Sequence, residues 1–139
     1  MRSSDVSVGE RFAQAVLAKD WGLVEGVVDP EIDFRALTPG RPWEATAQKG
    51  LIEEVFQQWF GPSVDIYEIL AISTDRVVGS NRVVYRFLAR KPDGDYVCEQ
   101  TAYYDEAKGR ITNLRILCTG FLPSTDDRVP AIDLMTAEA

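Results

Sequence analysis

Residues 95–118 read DYVCEQTAYYDEAKGRITNLRILC. The Lys108–Gly109 pair breaks a run of strand-forming residues, so the stretch predicts two antiparallel strands around a tight turn. Side chains alternate along a strand, which gives the first strand two faces. One carries Val97, Glu99, Thr101 and Tyr103; the other carries Tyr96, Cys98, Gln100, Ala102 and Tyr104. Only the first set contains a carboxylate, so the face that turns inward decides what chemistry an interior can hold.

Working outward, the segment RVVYRFLARK alternates in the same way. Val83, Tyr85, Phe87 and Ala89 form an apolar set, and the arginines opposite mark an outer face. The turn Pro92–Asp93–Gly94 joins it to the quoted stretch. Upstream, VDIYEILAISTDRVV reads as one long strand, with a bulge expected at Ser73–Asp75 and a turn at Gly79–Asn81. The first half is helical. Ser7 with Glu10 three residues on forms a capping box, which predicts a helix from Val8 to Lys19. Asp20 caps a second helix, Trp21 to Val28, stopped by Asp29–Pro30. EIDFRAL reads as a short strand and TPGRPW as a loop. LIEEVFQQWF sets Leu51, Ile52, Val55, Phe56, Trp59 and Phe60 against Glu53, Glu54, Gln57 and Gln58, the signature of an amphipathic helix that Gly61–Pro62 ends. The expected order is therefore α-α-β-α-β-β-β-β. It implies an α+β roll in which three helices cover one face of a curved antiparallel sheet and leave a cone-shaped pocket between.

Composition narrows the function classes. The chain has 139 residues, enough for one domain, expected over 1–123 and followed by an acidic tail at 124–139. With 22 acidic and 15 basic residues, the net charge of −7 argues against nucleic acid as a partner. No apolar run approaches the ~20 residues of a membrane span. MRSSDVSVGERF lacks the apolar core of a signal peptide, so a cytoplasmic location is expected. There is no histidine, which removes Ser-His and Cys-His nucleophile pairs and His-ligated metal. No metal or cofactor is expected. Cys98 and Cys118 are expected on opposite sheet faces, with no disulfide between them.

The element order, the hairpin AYYDEAKGRITNLRIL and the segment AKDWGLVEGVVDPEIDF resemble the nuclear transport factor 2-like superfamily, whose members include ketosteroid isomerases, SnoaL-like polyketide cyclases and limonene-epoxide hydrolases. The resemblance covers about Gly9 to Phe121. It implies a cystatin-like α+β roll, a pocket and often a homodimer through the outer sheet face. It does not imply one activity. The isomerase pattern's Tyr, base and buried acid fall at Phe12, Ala36 and Thr101, and the epoxide hydrolases' aspartate falls at Ile116, so none of these chemistries carries over intact.

The same resemblance turns Val97, Glu99, Thr101 and Tyr103 inward, with Tyr85, Phe87, Leu114, Ile116 and Cys118. Glu99 is then the candidate acid or base, with Tyr85 and Tyr103 as hydrogen-bond donors. Its alternative is a solvated or arginine-paired carboxylate at the pocket rim. Phe12, Val16, Phe34, Phe56, Trp59, Phe60, Phe87, Thr101, Leu114, Ile116 and Cys118 complete the expected pocket wall. Trp43 either lids the mouth or caps the core, and Arg41 beside it is a candidate for an anionic ligand group. The readings are a module binding a small apolar molecule of polyketide or terpene type, or a cofactor-independent isomerase, cyclase or hydrolase using Glu99 with tyrosine donors.

Overall fold

The computed structural model describes residues 7–124. The expected tail falls outside the described residues except for Ser124, whose amide donates to the Asp95 carbonyl at 3.0 Å; residues 1–6 fall outside them too.

Helix α1 spans Val8–Leu17, and Ser7 Oγ accepts from the Glu10 amide at 3.1 Å, as the capping box requires. Helix α2 spans Trp21–Val27, with the Asp20 carboxylate accepting from the Leu23 amide. The corner between them is held by Lys19, which sits in the left-handed region at φ 57°. Its ammonium donates to the Gly61 carbonyl at 2.9 Å and to the Val64 carbonyl, tying α1 to the chain leaving the third helix.

Strand β1, Val28–Thr38, begins without a loop after α2 and is longer than expected. Pro30 is tolerated inside it because the pairing with the neighbouring strand shifts between Val28 and Asp33, so Pro30 lies in the irregular stretch. The segment expected as a loop is instead a hairpin: Pro39–Gly40 turns β1 into β2, Arg41–Ala45, with Thr38 opposite Arg41. Gly40 supplies the positive φ, 91°, and the prolines fall at the turn and at an edge strand, where their missing donors cost nothing.

Helix α3 covers residues 48–59. Its middle, Leu51–Phe56, is π-helical, and the Gln57 amide donates to the Ile52 carbonyl five residues back. The expected apolar face is the buried one: Leu51, Ile52, Val55, Phe56, Trp59 and Phe60 are 9% exposed or less.

Strands β3 (Asp65–Val77), β4 (Ser80–Lys91), β5 (Gly94–Ala107) and β6 (Arg110–Cys118) then form an antiparallel meander. The shifts in β3 come between Ile66 and Glu68 and between Ile69 and Ala71, earlier than the expected bulge at Ser73–Asp75. Two extra residues there bend the strand. The sheet order is β2-β1-β6-β5-β4-β3, and a two-residue β7, Leu122–Pro123, pairs with β5. The meander starts at the far edge and walks back, so β6 meets β1 running the same way. That single parallel pair makes the sheet mixed where it was expected to be wholly antiparallel. The three helices pack on its inner face, and the shared core holds Phe12, Val16, Phe34, Phe56, Phe60, Tyr85, Phe87, Leu114 and Ile116. Among the described residues, no helix is long and apolar enough to cross a membrane.

The register of β5 is opposite to that expected. The Pro92–Asp93 turn pairs Lys91 with Gly94, which sets Phe87 against Cys98 and Tyr85 against Gln100. Directly paired residues share a face. Since Tyr85 and Phe87 are in the core, so are Cys98, Gln100, Ala102 and Tyr104, while Glu99, Thr101 and Tyr103 point outward. Val97 is buried all the same, on the outer face, in a small cluster with Leu88, Leu70 and Leu122.

Candidate functional site

At the open end of the cone lies a cavity of about 390 Å³. Its wall combines the β1–β2 turn (Thr38, Pro39), Trp43 of β2, Trp59 and Phe60 at the end of α3, and Phe121 after β6. Cys98, Gln100 and Cys118 close one side, with Thr119 and Gly120 between Cys118 and Phe121.

Each wall has a local cause. Trp43 stands edge-on to Trp59, with ring centroids 5.8 Å apart, and its indole nitrogen donates to Thr38 Oγ1 at 2.8 Å. Trp43 lines the cavity and also packs against the core. Arg41, the candidate for an anionic group, instead lies over the Trp43 ring at 3.5 Å. Phe60, Phe87 and Tyr96 each meet Phe121 near edge-on. Phe121 reaches inward because the last strand breaks between Cys118 and Leu122. The Thr119 amide donates to the Glu99 carbonyl, the Glu99 amide donates to Thr119 Oγ1, and the chain turns at Gly120, φ 79°. A Cβ at Gly120 would lie 2.8 Å from Pro39 Cγ, so glycine is needed there for its backbone angle and for the close approach of the turn.

The polar side of the cavity is a chain of hydrogen bonds that starts in the core. Tyr85, fully buried, donates its hydroxyl to Gln100 Oε1 at 2.6 Å. Burial pushes the Tyr85 phenol well above its ordinary pKa, and the two nearby sulfurs add to the shift, so it stays protonated as a donor. With Gln100 Oε1 taken, its Nε2 donates outward to Cys118 Sγ at 3.3 Å. The Gly120 amide donates to the same sulfur at 3.3 Å, and Cys98 Sγ lies 3.7 Å from it. These partners, the Cys98 hydrogen bond first, lower the Cys118 pKa to about 6 against the opposing effect of burial. Its hydrogen bond to Cys118 and its own burial raise the Cys98 thiol. The two cysteines therefore share a face, contrary to expectation, and both are free thiols.

Of the expected pocket residues, Trp43, Trp59, Phe60 and Cys118 line the cavity. Phe12, Val16, Phe34, Phe56, Phe87, Leu114 and Ile116 are inward but packed into the core. Tyr85 is inward and reaches the cavity only through Gln100. The catalytic assignment of Glu99 is corrected: it lies on the outer face with its carboxylate 2.9 Å from Arg86 Nε. Thr101 pairs with Val84 on that face, and Tyr103 lies beside Arg82. The physical reason is the one-residue register difference set by the two-residue turn. Sequence reasoning missed Gln100, Cys98 and Phe121. The first two were within reach, because a Pro-Asp turn pairing residues 91 and 94 forces Cys98 opposite the inward Phe87. Phe121 was not, because Gly120 hints at a break in TGF without saying which way the next side chain turns. Among the described residues, no group of three or more His, Cys, Asp or Glu is placed to hold a metal ion.

No protein-family model matches the chain, and no curated protein matches it. Solved structures do. A nuclear transport factor 2-like protein from Burkholderia thailandensis superimposes with a TM-score of 0.63 at 13% identity, over 92% of this chain and 94% of the other. A provisionally assigned isomerase from Rhodopseudomonas palustris gives 0.63 at 20% identity, over 88% and 94%. An LEH-like epoxide hydrolase from M. tuberculosis gives 0.57 at 12% identity, over 95% and 94%. At such identities the likeness is one of architecture: this chain has the nuclear transport factor 2-like α+β fold.

Proposed function

We propose that this protein binds a small, largely apolar organic molecule in the cavity at the open end of the cone. The observation that carries this reading is the wall itself: Trp43, Trp59, Phe60 and Phe121 converge on a space of about 390 Å³ with Gln100 and Cys118 at one side. Ligand sites are mostly apolar concavities of this order of size, with a few polar groups that fix orientation. A polyketide- or terpene-like compound fits such a wall, and the fold neighbours include structures named as an epoxide hydrolase and as a provisional isomerase. The alternative acid-base enzyme built on Glu99 loses support, because its carboxylate is paired with Arg86 on the outer face.

Tryptophan fluorescence tests the reading, because Trp43 and Trp59 form part of the wall. Titration with a panel of cyclic ketones and terpenoid alcohols is expected to give saturable quenching that Phe121→Arg abolishes by placing a charge in the apolar wall. Absence of saturable quenching across the panel, with no bound compound in native mass spectra of protein taken directly from cells, would refute it.

The reading extends to a homodimer through the outer face. Leu37 and Leu117 are paired side by side there and more than half exposed. Around them, Arg35, Arg41, Arg115 and Glu44 border a shallow depression of about 710 Å³. Charges of both signs around an apolar pair suit a self-complementary two-fold contact. Light scattering on wild type and Leu117→Asp measures it; equal masses for the two would remove the dimer. A cytoplasmic location belongs to the same proposal, in which the two neighbouring thiols would be kept reduced.

A further inference from the structure

Cys118 combines three properties seldom met in one thiol: it lines an apolar cavity, it is only half-buried, and its sulfur accepts from two N–H donors with a second sulfur 3.7 Å away. A sulfur held as an acceptor by the Gln100 amide and the Gly120 N–H is held ready for negative charge. The arrangement is fixed from below, because Tyr85 occupies Gln100 Oε1 and so points the NH₂ end at the sulfur.

We propose that Cys118 is a nucleophile that captures small apolar α,β-unsaturated carbonyl compounds in this cavity as covalent thioether adducts. The proposal rests on the cavity being the ligand site. The thiolate sulfur forms a bond to the β-carbon, and the carbon–carbon π pair shifts to make an enolate. The proton that Cys118 released to solvent on ionising is returned to the α-carbon, so the adduct is the simple sum of thiol and ligand. Nothing leaves and no oxidant is consumed. This electrophile class matches the site on two counts. A soft sulfur anion prefers a soft carbon centre, and the wall of Trp43, Trp59, Phe60 and Phe121 takes an apolar carbon skeleton.

The size of the effect follows from ionisation. At pH 6.5 a thiol of pKa about 6 is mostly thiolate, about 75-fold more so than an ordinary thiol near 8.5. Its lower basicity reduces intrinsic nucleophilicity about 13-fold, leaving a net gain of about sixfold.

The test uses reduced protein freed of reductant, 2-cyclohexen-1-one as the probe, and intact-mass kinetics with peptide mapping. The expected result is one adduct per chain, on Cys118, formed at pH 6.5 about sixfold faster than on free cysteine. The pH at half-maximal rate should lie below that of free cysteine and move up in Cys98→Ala, which removes the first cause of the lowered Cys118 pKa. Saturated cyclohexanone should slow the labelling and should still quench tryptophan emission in Cys118→Ser. An adduct on Cys98, a rate no faster than free cysteine, or a midpoint near 8.5 that ignores Cys98→Ala would overturn the proposal. If Cys118→Ser binds cyclohexanone while wild type forms no adduct, covalent capture falls and the binding site stands. If an adduct forms without protection by cyclohexanone, the cavity is not where the electrophile is held and both fall.

Discussion

Gln100 is 1% exposed, and replacing it by leucine separates its two duties. The substitution removes the acceptor of the Tyr85 hydroxyl, which lies deep in the apolar core. A buried donor stripped of its acceptor costs about 1–3 kcal/mol. The apolar leucine recovers part of this by sparing the amide its desolvation, so the net loss should be about 1–2 kcal/mol, or roughly 3–8 °C in Tm for a domain of this size. In a Tyr85→Phe background no orphan is left behind, and the same change should cost at least about 1 kcal/mol less. Urea denaturation of the four proteins at pH 5, where Cys118 is neutral, measures that coupling. Repeated at pH 8, the cost of Gln100→Leu should grow, because the Cys118 thiolate has then lost a donor. Equal costs in both tyrosine backgrounds would refute the network, and a cost independent of pH would refute its link to the sulfur.

Three further outcomes are expected. Gly9→Ala should destabilise, even though alanine gains up to about 1 kcal/mol in a helix, because its Cβ would sit 2.3 Å from Tyr104 Oη and 2.6 Å from Cζ. The penalty should persist in Tyr104→Phe and disappear in Tyr104→Val, by chemical denaturation. Glu99→Gln should cost less than about 1 kcal/mol and leave ligand affinity unchanged, since the Arg86 pair is partly solvated; loss of binding with an intact fold would place Glu99 back in the cavity. The Cys118 pKa is lower in the folded chain than in the unfolded one, so its contribution is complete above about 8.5 and fades as pH falls toward 6. Cys118→Ala should therefore flatten the rise of stability across that window, whereas Cys98, shifted the other way, acts only at higher pH.

The helices were legible because each carried a chemical start signal and an apolar stripe. Ser7, Asp20 and the Leu51–Phe60 pattern all do in the structure what their positions implied. The β1–β2 hairpin was hidden because Pro39, Gly40 and Pro42 read as loop, and a two-strand edge can tolerate them. The β5 register failed for a different reason. Both faces of YVCEQTAYY mix apolar and polar residues, so alternation alone gave no direction. The outer face even buries Val97 under Leu70 and Leu122, which imitates a core. The decisive constraint was not in β5 at all but in the length of the turn before it. The candidate site moved with that register: Glu99 and Tyr103 left, and Gln100 and Cys98 took their place.

The π-helical stretch at Leu51–Phe56 means that α3 carries more chain in its middle than ordinary winding would hold. Deleting one residue there would let the segment relax to 3.6 residues per turn while the turns on either side keep their facing, because the tighter winding covers nearly the same rotation with one residue fewer. Leu51 and Ile52 would keep their places, and Trp59 and Phe60 would stay on the cavity wall. The helix thus holds one residue of slack, which insulates the aromatic wall from a one-residue change in chain length.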